Sequence, residues 1–223
     1  MRWLPWGRRR AERDRSPSVE LTPVEAAERF WRHWNELLPR INSALGDDAP
    51  ARIEYVLREE VTAIHPDLHF SVERGQRALY ALVVTGQERA ELRPYTDAWR
   101  DAAPHEDVIW EYHDSVPPVP DPTEVTIHIG EHQIRLADVR VVVQVDRGAG
   151  VVDVVVHHPE LSALTEEARA AMTFLPLDAT LGERLAAERL RRVEATLHAP
   201  EQAITLLELR ALVRSLAEQD TGP

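Results

Sequence analysis

The sequence predicts an α+β fold: an antiparallel sheet built from two hairpin–helix–strand units, with helices packed mainly on one side and two more helices at the N-terminal end. Three observations carry this reading. Residues 139–158, VRVVVQVDRGAGVVDVVVHH, hold two runs of period-2 alternation, with Val139, Val141, Val143 and Val145 on one face and then Val152, Val154 and Val156. Folding them so that Arg147 faces Gly150 opposes Val145 with Val152, Val143 with Val154 and Val141 with Val156. Gly148-Ala149 then becomes a type II′ turn, whose first position requires positive φ. A second hairpin is written by Leu68, Phe70 and Val72 and, past Gly75, by Leu79, Ala81 and Val83. After the first of these in the chain come a helical pattern and one more strand, and the valine hairpin is likewise followed by a helical pattern and a closing stretch, so the two units are alike in topology.

Taken in order, the chain starts with an Arg/Trp-rich tail, residues 1–21, expected to be disordered. Arg2, Arg8, Arg9, Arg10, Arg13 and Arg15 stand there against Glu12 and Asp14. The tail lacks the apolar run of a signal peptide, which predicts a cytoplasmic protein. Its Trp3 and Trp6 beside arginines leave a weak contact of residues 1–15 with an anionic membrane surface open. Order is expected from Thr22-Pro23-Val24-Glu25, a capping box with proline at the first helical position. Ala27, Phe30, Trp31, Trp34, Leu37, Leu38, Ile41 and Leu45 then share helical spacing up to Gly46, with Pro39 expected to kink the helix. A second helix over residues 51–64 turns Ile53, Val56, Leu57, Val61 and Ile64 inward.

Beyond the first hairpin, residues 89–102 place Leu92, Tyr95, Trp99 and Ala102 on one helix face, and Val108, Trp110 and Tyr112 alternate as a strand. Residues 116–122 contain four prolines and read as an extended connection. Val125, Ile127 and Ile129 pair back on residues 133–136 around Gly130-Glu131. After Pro159 a helix over residues 165–181 is expected to bury Leu164, Ala168, Ala171, Met172 and Leu175, with Gly182 as its cap. Residues 189–198 fit neither template, since their propensity is helical and their pattern is not. Thr205-Leu206-Leu207-Glu208 is another capping box, opening a helix with Leu206, Leu209, Leu212, Val213 and Leu216 inward. A single domain over residues 22–218 follows, with possible halves 22–115 and 123–218 on either side of the Pro-rich connection.

Several short motifs recur in a known setting: Phe30-Trp31 in the first helix, I-H-P-D-L (Ile64–Leu68) before a strand, A-A-P ahead of a Trp-bearing strand, Pro120-Asp121-Pro122, A-D-V-R opening the valine hairpin, and L-D-A-T-L-G-E (Leu177–Glu183) closing a helix. In this the chain resembles a widespread group of uncharacterised bacterial proteins. The resemblance covers roughly residues 30–216 and brings no established activity. It implies that the chain returns to a strand at residues 190–197. The chain departs from the group at Arg184-Leu185-Ala186-Ala187-Glu188.

Composition excludes more chemistry than it suggests. There is no cysteine and no lysine, so disulfides, thiolate ligands, Schiff bases and P-loop lysines are all out. No G-x-S-x-G, G-x-G-x-x-G or Walker pattern occurs. The formal net charge is −12; because the first fifteen residues carry a net +4, the remainder carries about −16. Such a body repels phosphates, which disfavours nucleic-acid binding. With thiolates absent, histidines joined by carboxylates are the candidate metal ligands. His65 and His69 flank Pro66-Asp67-Leu68, His128 and His132 flank a turn, and His157-His158 end a strand, with Asp67 or Glu160 near in sequence; no catalytic or cofactor-binding residue is assigned beyond these six metal candidates. The expected role is therefore an acidic, cytoplasmic protein-binding or regulatory protein that neutralises or scaffolds a partner with a basic surface. Two alternatives stay open: a peripheral membrane or scaffold component recruited by the tail, and a metal-dependent enzyme using the clustered histidines.

Overall fold

The computed structural model describes residues 21–47, 49, 51–87 and 89–220, so the expectations for the tail, Leu21 apart, lie outside the described residues, as do Asp48, Pro50, Glu88 and residues 221–223. The class is α+β. Helix α1 (Pro23–Gly46) starts as the capping box predicts: Thr22 Oγ1 accepts from Glu25 N, and Glu25 in return accepts from Thr22 N at 2.9 Å. It continues through Pro39 to Gly46. Helix α2 (Ala51–Thr62) lies antiparallel to it, with Arg29 donating to Ala63 O and His33 bonded to Glu60.

Strands β1 (His69–Arg74) and β2 (Tyr80–Thr85) form the first hairpin; helix α3 (Arg93–Asp101) then crosses over to β3 (Trp110–His113), which pairs parallel to β2. The sheet order is β1-β2-β3. Phe30, Trp31, Trp34, Trp99, Trp110 and Tyr112 pack edge-on and stacked in its core. Three of the four indoles spend their N–H on a partner: Trp31 on Trp99 O, Trp34 on Tyr112 Oη and Trp110 on Asn42 Oδ1. Two expectations change here. Ala81, Leu82, Val83 and Val84 are all buried, so β2 is covered on both faces and not on one, while Leu79 is exposed. Val108 is 84% exposed and precedes the strand it was assigned to.

The second unit begins with a small hairpin, β4 (Thr126–Ile129) and β5 (His132–Arg135), followed by β6 (Arg140–Asp146) and β7 (Val151–His157). The register of β6 and β7 is the predicted one: Val145 opposes Val152, Val143 opposes Val154 and Val141 opposes Val156. The turn differs. Four residues, Arg147 to Gly150, link the strands; positive φ falls on Gly150 (67°), and Asp146 Oδ1 accepts from Ala149 N, so the local side-chain bond selects another turn with the same register. Helices α4 (Glu166–Leu181) and α5 (Glu183–Arg189) cross over to β8 (Leu190–Ala195), parallel to β7. Residues 190–195 are thus strand, and α6 (Leu206–Asp220) closes the core from its own capping box.

Both units have the connectivity ββαβ, and each keeps its own three-stranded sheet and its own apolar core. The sheets do not merge into one, since four prolines between them remove the N–H groups a continuous ladder needs.

Candidate docking groove between the two units

The units meet where β2 and β3 end. Gly182 caps α4 with φ 76°, and a Cβ there would lie 2.7 Å from Pro118 Cδ and 2.8 Å from Pro118 N; only glycine passes. Glu183 follows. Its carboxylate accepts from Thr85 Oγ1 and, at 3.1 Å, from Val116 N, while its own N–H donates to Val116 O at 2.9 Å. Arg184 bridges Asp97 and Asp114, at 2.8 Å from the latter, and Arg93 pairs with Glu188 at 2.8 Å. Burial pulls the Arg184 pKa down, but the bond to Asp97 and the charges of Asp114 and Asp97 outweigh it and raise it above the ordinary guanidinium value. The L-G-E motif is therefore the peg by which the second unit seats on the first. The hollow between these charges, lined by Arg89, Arg93, Asp114, Glu183 and Arg184, holds only about 20 Å³, too little for more than a water.

Beside the peg the Pro-rich segment is pinned onto α4. Val119 N donates to Ala179 O at 2.9 Å. Arg210, 9% exposed on α6, spends its guanidinium on three carbonyls: Thr180 O at 2.7 Å, Pro120 O at 2.8 Å and Val119 O at 2.7 Å. Burial draws its pKa below the ordinary value, yet an arginine stays charged, and the carbonyl at the end of α4 with the two of the Pro-rich segment supply the acceptors it needs. Segment and helix so enclose a groove of about 470 Å³ with Val116, Pro117, Val119, Ile127, Leu175 and Ala179 on its walls and Asp178, Glu183 and Gln87 at its edge. Gln87 has φ 53°, rare for a side-chain-bearing residue, and its N–H donates to Thr85 Oγ1, which binds Glu183 in turn.

Leu175 and Ala171 were expected in the core. They are exposed, together with Phe174, because the core side of α4 is made by Met172, Pro176, Leu177 and Leu181. Helix α4 is apolar on two sides, one for its own unit and one for the groove. That doubled pattern was the available signal, and sequence periodicity merged the two faces into one.

The fold brings His132 Nδ1 within 3.9 Å of Glu160 but spreads the other candidate histidines over separate places. His65 accepts from Asp67 N and its ring lies 4.7 Å from Tyr95, while His69 opens β1 in the first unit. His128 and His132 pair with Gln133 and Ile129, adjacent rungs of one hairpin, and so sit on opposite faces. His157 is bonded through Nδ1 to Thr196 O at 3.0 Å. His158 accepts from Glu160 N on Nδ1 and donates from Nε2 to Arg135 O; burial lowers its pKa. These bonds give both histidines structural work at the end of β7. Among the described residues no three His, Asp or Glu side chains converge as a metal site. Nor is any described helix long and apolar enough to cross a membrane. No protein-family model, curated protein or solved structure matches the chain.

Proposed function

We propose that this is a binding protein whose junction groove takes an apolar segment flanked by basic residues on another protein. One observation carries the reading: the groove walls from α4 and the Pro-rich segment present Val116 and Leu175 to solvent, each 43% exposed, beside Asp178 and Glu183, on a body of about −16. Exposed apolar side chains on a rigidly pinned wall favour burial of a partner's side chains, and the acidic edge adds steering and orientation. The charges at the adjoining peg are already paired, which supports binding over chemistry at this site. Selection from a random peptide library displayed on phage tests it. Enriched peptides should combine Leu, Trp or Phe with Arg or Lys and lose at least tenfold in affinity on Leu175→Asp. Acidic peptides, or binding indifferent to Leu175→Asp, would refute the reading.

A further inference from the structure

The groove asks for a segment that is apolar at one end and cationic next to it, and this chain contains one. Trp3, Leu4 and Trp6 precede Arg8-Arg9-Arg10, the sole run of three consecutive arginines in the sequence. The fold brings the root of that segment to the right end of the molecule. Along α1, Trp31 meets Tyr112 and Trp34 meets Trp110, so α1 runs antiparallel to β3. Its pairing with α2 has the same sense. Thr22 therefore lies where β2 and β3 finish, the end at which Thr85 and Asp114 touch the second unit. From Thr22 the twelve residues back to Arg10 extend to about 40 Å at most, ample to follow the junction. The charge is complementary as well, a net +4 segment against a body of about −16.

Resting on the docking reading above, we infer that residues 3–10 of this chain are the first occupant of its own groove. The indoles and Leu4 cover Val116, Pro117 and Leu175, the arginines face Asp178 and Glu183, and an external partner competes for the same place. A tethered segment acts at about millimolar effective concentration. With an intrinsic dissociation constant of about 0.1 mM it fills the groove about nine-tenths of the time and weakens a partner's apparent affinity about tenfold.

The absence of cysteine makes a clean test available in the full chain. Gly7→Cys is combined with Ala171→Cys, one turn before Leu175 on the exposed side of α4, or with Val108→Cys, 84% exposed ahead of β3 at its opposite end. In a glutathione buffer the intramolecular disulfide to position 171 should form with at least tenfold higher effective concentration than that to 108. The preference should vanish on Leu175→Asp. Equal values at the two sites, or crosslinked dimers in place of monomers, overturn the inference. A second readout separates it from the docking reading: library-selected peptides should bind the Trp3→Ser/Trp6→Ser full chain about tenfold tighter than the wild type. Unchanged affinity means that the groove binds partners but not its own tail, and loss of peptide selection altogether means that both readings fail.

Discussion

Each of the two ββαβ units holds a parallel third strand against a hairpin, and each does so with opposite chemistry. In the first, β3 carries Glu111, which is fully buried; its carboxylate accepts from Gln76 N and Arg77 N at 2.8 Å, from Ala78 N at 3.1 Å and from His113. Burial alone would push its pKa up, but these donors favour the charged form and bring it to about 2. In the second, β8 enters with Arg191 at the surface, bridging Asp146 at 2.8 Å and Asp153 at 2.7 Å across the hairpin. The cores differ likewise. All four described tryptophans lie in the first unit, whereas the second is filled by aliphatic residues, mainly valine and leucine, with one methionine. The first unit is thus fixed from within by a buried ion and an aromatic cluster. The second rests on aliphatic area and surface pairs, and its helix α4 keeps an apolar side for the groove.

The largest effect is expected in the second core. Val154→Asp should unfold that unit, since an unpaired carboxylate in an apolar core costs several kcal/mol, whereas Val155→Asp on the half-buried outer face should be tolerated. In a Trp3→Ser/Trp6→Ser background the remaining four tryptophans all lie in the first core, so near-ultraviolet circular dichroism of Val154→Asp should retain the indole bands. Their loss would mean that the units fold as one.

Glu111→Ala comes next. It leaves three backbone N–H groups of the β1–β2 turn without an acceptor and should cost about 3 kcal/mol by denaturant titration, with Gln76 to Ala78 losing protection from hydrogen exchange. The same carboxylate sets an acid limit. Its folded pKa lies below the unfolded value of 4.5, so its contribution is complete above pH 4.5 and is lost as pH falls towards about 2, on the order of 3 kcal/mol in all. In Glu111→Gln that part of the acid dependence should be missing; an unchanged profile would assign acid sensitivity to other carboxylates. Gly182→Ala should cost about 1–3 kcal/mol, because φ 76° and the contact with Pro118 both resist a Cβ. Arg191→Ala should give the smallest change, a slight fall in Tm that disappears in high salt, as expected of an exposed ion pair.

Local signals in the sequence went far. The capping boxes at Thr22 and Thr205 and the valine register at residues 141–156 all reappear in the structure, because each is decided by residues close in the chain. What lay hidden depended on segments distant in the chain coming together. Glu111 alternates with Trp110 and Tyr112 and so reads as a solvent-facing residue, yet its face of the sheet is closed by the turn at residues 75–79. The buried run Ala81 to Val84 was the readable trace of that closure. The groove was hidden for the same reason, since its walls come from the Pro-rich segment, α4 and β4, and Leu175 counted towards a core it does not join.

The central claim is that the junction groove, and no other face, is where a partner docks. Amide hydrogen exchange of the protein with a library-selected peptide bound tests it directly. Added protection is expected at residues 116–119 and 175–179, with the outer face of β6, β7 and β8 unchanged. Protection confined to that outer face, or spread evenly over the acidic surface, would contradict it.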